Sequence, residues 1–185
     1  MQKKKVFSEV DAWPFFVMIL LGLHYLHGKN IVHRDLKPAN ILVDDLKPLD
    51  KANATAITKG LQILKIGDFG ISKVDLQTMR INQSTLGFLS TPAYTAPEVI
   101  GRQRPSEKVD IWALGIIFHE MITGNNPFRH DNVWAMSDAI KNDPLKPLPD
   151  TVSPSIRGII AKLLDKNPQT RPNTSTLLKV NVIKF

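Results

Sequence analysis

The segment from Val109 to Thr123 is apolar on nearly every side of a helix: Val109, Ile111, Trp112, Leu114, Ile116, Ile117, Phe118, Met121 and Ile122. A helix with no polar stripe has no face to offer water, so other elements must wrap it. The rest of the chain must therefore fold around this segment as a central post. Gly124, just past its end, suits a left-handed C-terminal cap. At 185 residues the chain can bury roughly two-thirds of its unfolded surface, enough for such a core.

The remaining periodicities supply the wrapping. Phe16, Ile19, Leu20, Leu23 and Leu26 recur at helical spacing, with Pro14 suited to the first turn and Gly28 to the C-terminal cap. Lys3-Lys4-Lys5 ahead of the apolar run Trp13 to Leu23 mimics a secretory leader. Ser8, Glu9 and Asp11 interrupt that approach, and no small-residue cleavage site follows. The run is also too short to cross a bilayer, so a buried helix is expected and no membrane span. Asp131–Ile140, Ser155–Leu164 and Thr174–Val180 read as further helices, with a proline-punctuated loop over 143–154. Ile31-Val32, Ile41-Leu42-Val43 and Ile63–Ile66 are short strand-like pieces that flank polar loops. The fold class read from these patterns is mainly α with a few short β-strands.

Hydrophobic residues make up 43% and charged residues 22%, which excludes a wholly disordered chain. With Lys plus Arg 24 and Asp plus Glu 17, the net charge is +7. Apart from Lys3-Lys4-Lys5 the cations are scattered among acids, the pattern of a solvated surface, and no nucleic acid is expected as partner. Without cysteine, disulfides and thiolate metal sites are excluded.

The chemistry-bearing residues lie in the polar loops. The first loop is His33-Arg34-Asp35-Leu36-Lys37-Pro38-Ala39-Asn40. Asp68-Phe69-Gly70 follows a predicted strand, and Ala96-Pro97-Glu98 comes next. Taken singly, Asp35 could cap a turn and Asn40 could satisfy loop backbone. Together, in this order and context, the motifs resemble those of the serine/threonine protein kinases. The resemblance covers about residues 6–180 and implies the C-terminal lobe of that fold, built around a buried central helix. The family's first lobe, with its glycine-rich loop and strand lysine, has no counterpart, so 1–185 is expected to be a partial kinase domain. An insertion at about 45–60 separates Asn40 from Asp68.

The resemblance implies transfer of the ATP γ-phosphate to a protein Ser/Thr hydroxyl with Mg²⁺. Asp35 and Lys37 are the implied catalytic residues. Lys37, Asn40 and Asp68 would meet the nucleotide, the last two through the metal, because magnesium prefers hard oxygen ligands. Arg34 resembles the arginine that pairs with a phosphorylated activation segment, with Ser84 and Thr85 as acceptors, Thr78 less favoured, and an upstream kinase as partner. Asp110 resembles the aspartate that anchors the catalytic loop, and Arg171 the partner of Glu98. His33 and Phe69 are expected to brace and to pack. Lys37 and Thr91-Pro92-Ala93-Tyr94 are serine/threonine-type choices, with Ser90 where the family usually has glycine.

Two other readings remain beside the enzyme. One is a kinase-derived lobe or pseudokinase that acts as a protein-binding scaffold. The other is a basic nucleic-acid binder, supported only by net charge. The 185-residue chain alone is expected to show little or no kinase activity. Cytoplasm or nucleus is the default compartment.

Overall fold

A computed structural model describes residues 6–45, 62–68 and 92–179. The helices are α1 (Glu9–Gly28), α2 (Pro97–Ile100), α3 (Lys108–Thr123), α4 (Val133–Asn142), α5 (Pro154–Leu163) and α6 (Thr174–Lys179). Strands β1 (Ile41–Asp45) and β2 (Gln62–Ile66) form an antiparallel pair that runs from Ile41 opposite Ile66 to Asp45 opposite Gln62. The mainly helical architecture with a small sheet is the class expected. Ile31-Val32 forms no strand, however, because the chain turns there on bonds from Asn30 and Ile31 back to the end of α1.

The central post is α3. Twelve of its residues, from Val109 to Ile122, are buried, and Trp112, Ile111, Leu114, Ile116 and Phe118 are 0% exposed. Gly124 caps it at φ 74°, a conformation that glycine takes at little cost. Helices α1 and α5 pack on the post, and α1 in turn packs on β2 and α6. Phe16 stacks on Phe118 at 4.4 Å between ring centres, and Trp112 on Phe128 at 5.6 Å. At Gly115 the α3–α5 approach is so close that a Cβ would lie 2.8 Å from Leu163 Cβ. Buried His119 shares its Nδ1 between the Asn125 carbonyl and the Thr123 hydroxyl, and burial holds its pKa below the usual value.

Helix α1 departs from expectation at both ends. It starts at Glu9, because Ser8 caps it through a bond from the Asp11 amide, so Pro14 falls inside the helix rather than in its first turn. The carbonyl that Pro14 leaves without an amide belongs to Val10, which is 81% exposed and reaches water. At the other end Gly28 is the last helical residue, and the left-handed φ of 58° falls on Asn30. With 20 residues α1 exceeds the Trp13–Leu23 run and is, by length and composition, able to cross a membrane. Ala12, Phe16, Ile19, Leu20 and Leu23 are nonetheless buried in the same core as α3, the placement of a core helix.

Candidate active site

Asp35, Lys37 and Asn40 sit on the loop that joins α1 to β1, and a 3-10 turn at Pro38–Asn40 carries the last of them. Lys37 Nζ donates to Asp35 Oδ2 at 2.8 Å. Asn40 Nδ2 donates to the Asp35 carbonyl at 2.8 Å and to Oδ2 at 3.1 Å. The Asp35 side chain is 9% exposed and that of Lys37 24%, so the carboxylate is nearly covered while the ammonium partly reaches solvent. Because both Asn40 amide bonds run to Asp35, its Oδ1 is left as a neutral oxygen donor. The Gly67 amide donates to the Asn40 carbonyl at 2.8 Å and closes the sheet at the loop. Asp68, the next residue, is exposed.

The loop's shape is imposed from below. Asp110, 1% exposed at the start of α3, accepts from the His33 amide at 2.9 Å and the Arg34 amide at 2.8 Å. Its Oδ2 also meets His27 Nε2 at 2.9 Å. The His33 ring takes the Asp35 amide on Nδ1 at 3.3 Å, so Nε2 carries the proton and donates to the Gly67 carbonyl at 2.9 Å. Arg34 (φ 67°) and Asp68 (φ 59°) both adopt the left-handed backbone that side chains resist. Such strain persists only where neighbours over-determine the chain, and it gathers at functional loops.

Glu98 and Arg171 meet elsewhere, beneath α2. Arg171 Nη1 and Nη2 donate to the two Glu98 oxygens at 2.8 and 3.0 Å, and further bonds run to the carbonyls of Lys108 and Asp165. Both side chains are essentially sealed, at 0% and 2% exposure. Phe69, Thr78, Ser84, Thr85, Ser90, Thr91, Val180 and the insertion beyond Asp45 lie outside the described residues.

The chain matches the protein kinase domain family over residues 1–183. It belongs to that family. It is 36% identical over 180 residues to a Dictyostelium discoideum protein named as a probable serine/threonine-protein kinase, covering 97% of this chain and 35% of the relative. It is 34% identical to the serine/threonine-protein kinase nekl-2 of Caenorhabditis elegans, covering 95% and 44%. It is 30% identical to the human serine/threonine-protein kinase Nek5, covering 96% and 23%. The chain thus spans less than half the length of these curated relatives.

Three further features become visible only in the structure. Tyr94 donates to Glu120 Oε2 at 2.7 Å, which fastens the segment before α2 to α3. Burial first, and then the bond to Glu120 and its charge, pushes the Tyr94 phenol above its usual range. Asn126 Nδ2 holds the Ala93 carbonyl of the same segment at 3.0 Å. Leu42 and Val43, exposed by 57% and 56%, present apolar surface on β1 right after Asn40. Exposed leucine and valine on a strand beside buried polar groups are a local clue, but exposure becomes visible only in the fold.

Proposed function

We propose that this chain carries the phosphotransfer machinery of a serine/threonine protein kinase, moving the γ-phosphate of ATP to a Ser/Thr hydroxyl of a protein. It corresponds on this reading to the lobe that bears the catalytic loop. The observation that carries the reading is the Asp35 carboxylate, held at 2.8 Å by Lys37 and at 3.1 Å by Asn40. A carboxylate fixed from one side and open on the other can orient an incoming hydroxyl and take its proton. Lys37 reaches the same centre and offsets charge that develops on the transferring group.

The donor set fits a hard cation. On this reading the Asn40 Oδ1 and the Asp68 carboxylate would be the oxygen ligands, since magnesium uses one or two protein oxygens with the rest from phosphate and water. Asn40 and Asp68 would hold the ion there, and it would supply neutralising charge for the phosphates of ATP. Leu42, exposed on β1 beside Gly67, supplies apolar surface next to these ligands, suited to a flat base. Arg34, on the same loop, would pair with a phosphate on Ser84 or Thr85 placed there by an upstream kinase.

The test uses the natural polypeptide that contains this sequence. Asp35→Ala should lower phosphate transfer to a Ser/Thr substrate by about a hundredfold or more, with an unchanged circular-dichroism spectrum. Undiminished transfer would overturn the reading. Partner binding by a wild-type chain that transfers no phosphate would favour the scaffold instead.

A further inference from the structure

Helix α1 turns one face to the core and leaves the other bare, and both faces are apolar. On the outer face Val10, Leu21 and Tyr25 are 81%, 49% and 67% exposed, and Pro14 is exposed between them. Half-buried Val17 and Met18 complete the row. Spacings of three and four residues set these side chains along one line of the helix, about 22 Å from end to end. The outer face of a core helix usually carries charge, so an unbroken apolar stripe there marks an interaction surface.

The stripe reads the same from either end. Val10 and Tyr25 lie equally far from the Val17–Met18 bond, and so do Pro14 and Leu21. A two-fold contact between identical helices needs that symmetry, because each side must complement itself. Antiparallel packing would set Val10 against Tyr25, Pro14 against Leu21, and Val17 and Met18 about the axis. Two polar features fit the same arrangement. Pro14 has no amide hydrogen, so the Val10 carbonyl one turn earlier lacks its helical donor. Tyr25 of a second copy would bring a hydroxyl to that carbonyl. Exposed Asp11 lies in the first turn of α1 and exposed Lys29 just past the last. Antiparallel copies therefore bring opposite charges together at both ends and oppose their helix dipoles. A lipid surface fits less well. Helices that lie in a bilayer interface carry Lys and Arg beside their apolar face, whereas α1 has none and bears Glu9 and Asp11.

We propose that two copies of this chain associate through the outer face of α1, packed antiparallel about a two-fold axis at Val17–Met18. One helix side is a small interface, so the dimer is weak and reversible, in the micromolar range. The contact uses no residue of the phosphotransfer site, so either reading can fail without the other.

The experiment is sedimentation equilibrium over a concentration series, on the natural polypeptide that contains this sequence. Leu21→Glu places a charge in the stripe at an exposed position. It should keep the circular-dichroism spectrum and raise the dimer dissociation constant about tenfold or more. Tyr25→Phe should raise it about fivefold through loss of the hydroxyl. Asp11→Lys and Lys29→Glu should each weaken the dimer about threefold, and the double variant should regain wild-type affinity, as only antiparallel packing allows. A monomer at every concentration, self-association that ignores Leu21→Glu, or charge variants whose losses simply add would overturn the proposal. So would a protein that stays monomeric yet binds phosphatidylcholine–phosphatidylserine vesicles in a way Leu21→Glu abolishes, which would give the face to a membrane.

Discussion

Two ion pairs of this chain have the same 2.8 Å contact and opposite surroundings. Arg171 and Glu98 are sealed at 0% and 2% exposure, and carbonyls of Lys108 and Asp165 use up the remaining guanidinium donors. Lys37 and Asp35 stand at 24% and 9%, with the ammonium partly in solvent. Every donor of the first pair is committed to the protein, so it can only hold. The second pair is less sealed, and its ammonium partly reaches solvent, which suits the chemical role proposed for it. Distance alone does not separate a structural pair from a chemical one; saturation and access do. The proposals above for Asp35 and Lys37 rest on that difference.

The comparison breaks most easily at the sealed pair. Arg171→Ala leaves Glu98 buried without a partner and should cost about 3–5 kcal/mol in urea unfolding. A loss under about 1 kcal/mol would mean the pair is surface-like in energy despite its burial. The next largest effect should come from Gly115→Ala. Its new methyl would meet Leu163 Cβ at 2.8 Å, an atom tied to the backbone of α5, and the strain should cost about 1–3 kcal/mol. Gly22→Ala is the control at equal distance. There the 2.8 Å neighbour is Ile66 Cδ1, the tip of a side chain that can turn aside, so less than about 1 kcal/mol should be lost.

The smallest effect separates a third cation from both pairs. Lys166 Nζ reaches the Ala139 and Ile140 carbonyls at the end of α4 and lies 3.8 Å from the Phe128 ring centre. Desolvation lowers its pKa to about 8 from 10.5, despite opposition from Asp143. Between those values the unfolded chain binds more protons than the folded one, so stability rises with pH across that window. Urea midpoints should climb from about pH 8 to about pH 9.5, and Lys166→Met should flatten that climb. A fall with pH in the wild type, or a rise that the variant retains, would contradict the assignment.

Much of this fold was legible because its signals are local. The all-round apolar pattern from Val109 to Ile122 can only be a wrapped helix, and α3 is that helix. The apolar pieces at 41–43 and 63–66 became β1 and β2 because polar loops bracket them on both sides. The start of α1 was misjudged because the apolar run was weighed above the Ser8 cap, which begins the helix at Glu9 rather than at Trp13. The four-residue α2 is too short to show a period at all. At the site, the order of His33-Arg34-Asp35, Asn40 and Asp68 pointed to the loop. What holds the loop was less visible. His27 meets Asp110 across 83 positions, and Tyr94 meets Glu120 across 26, contacts that no spacing rule encodes. The left-handed backbone at Arg34 and Asp68 was also hidden, since neither residue type announces it.

The most direct test is to measure phosphate transfer and thermal stability side by side for Lys37→Met in the natural polypeptide. The account predicts transfer reduced by about a hundredfold or more, with a stability loss of no more than about 1 kcal/mol, because an open pair adds little to the fold. Transfer left intact beside a stability loss as large as that of Arg171→Ala would contradict it, and would make Lys37 and Asp35 a second holding pair.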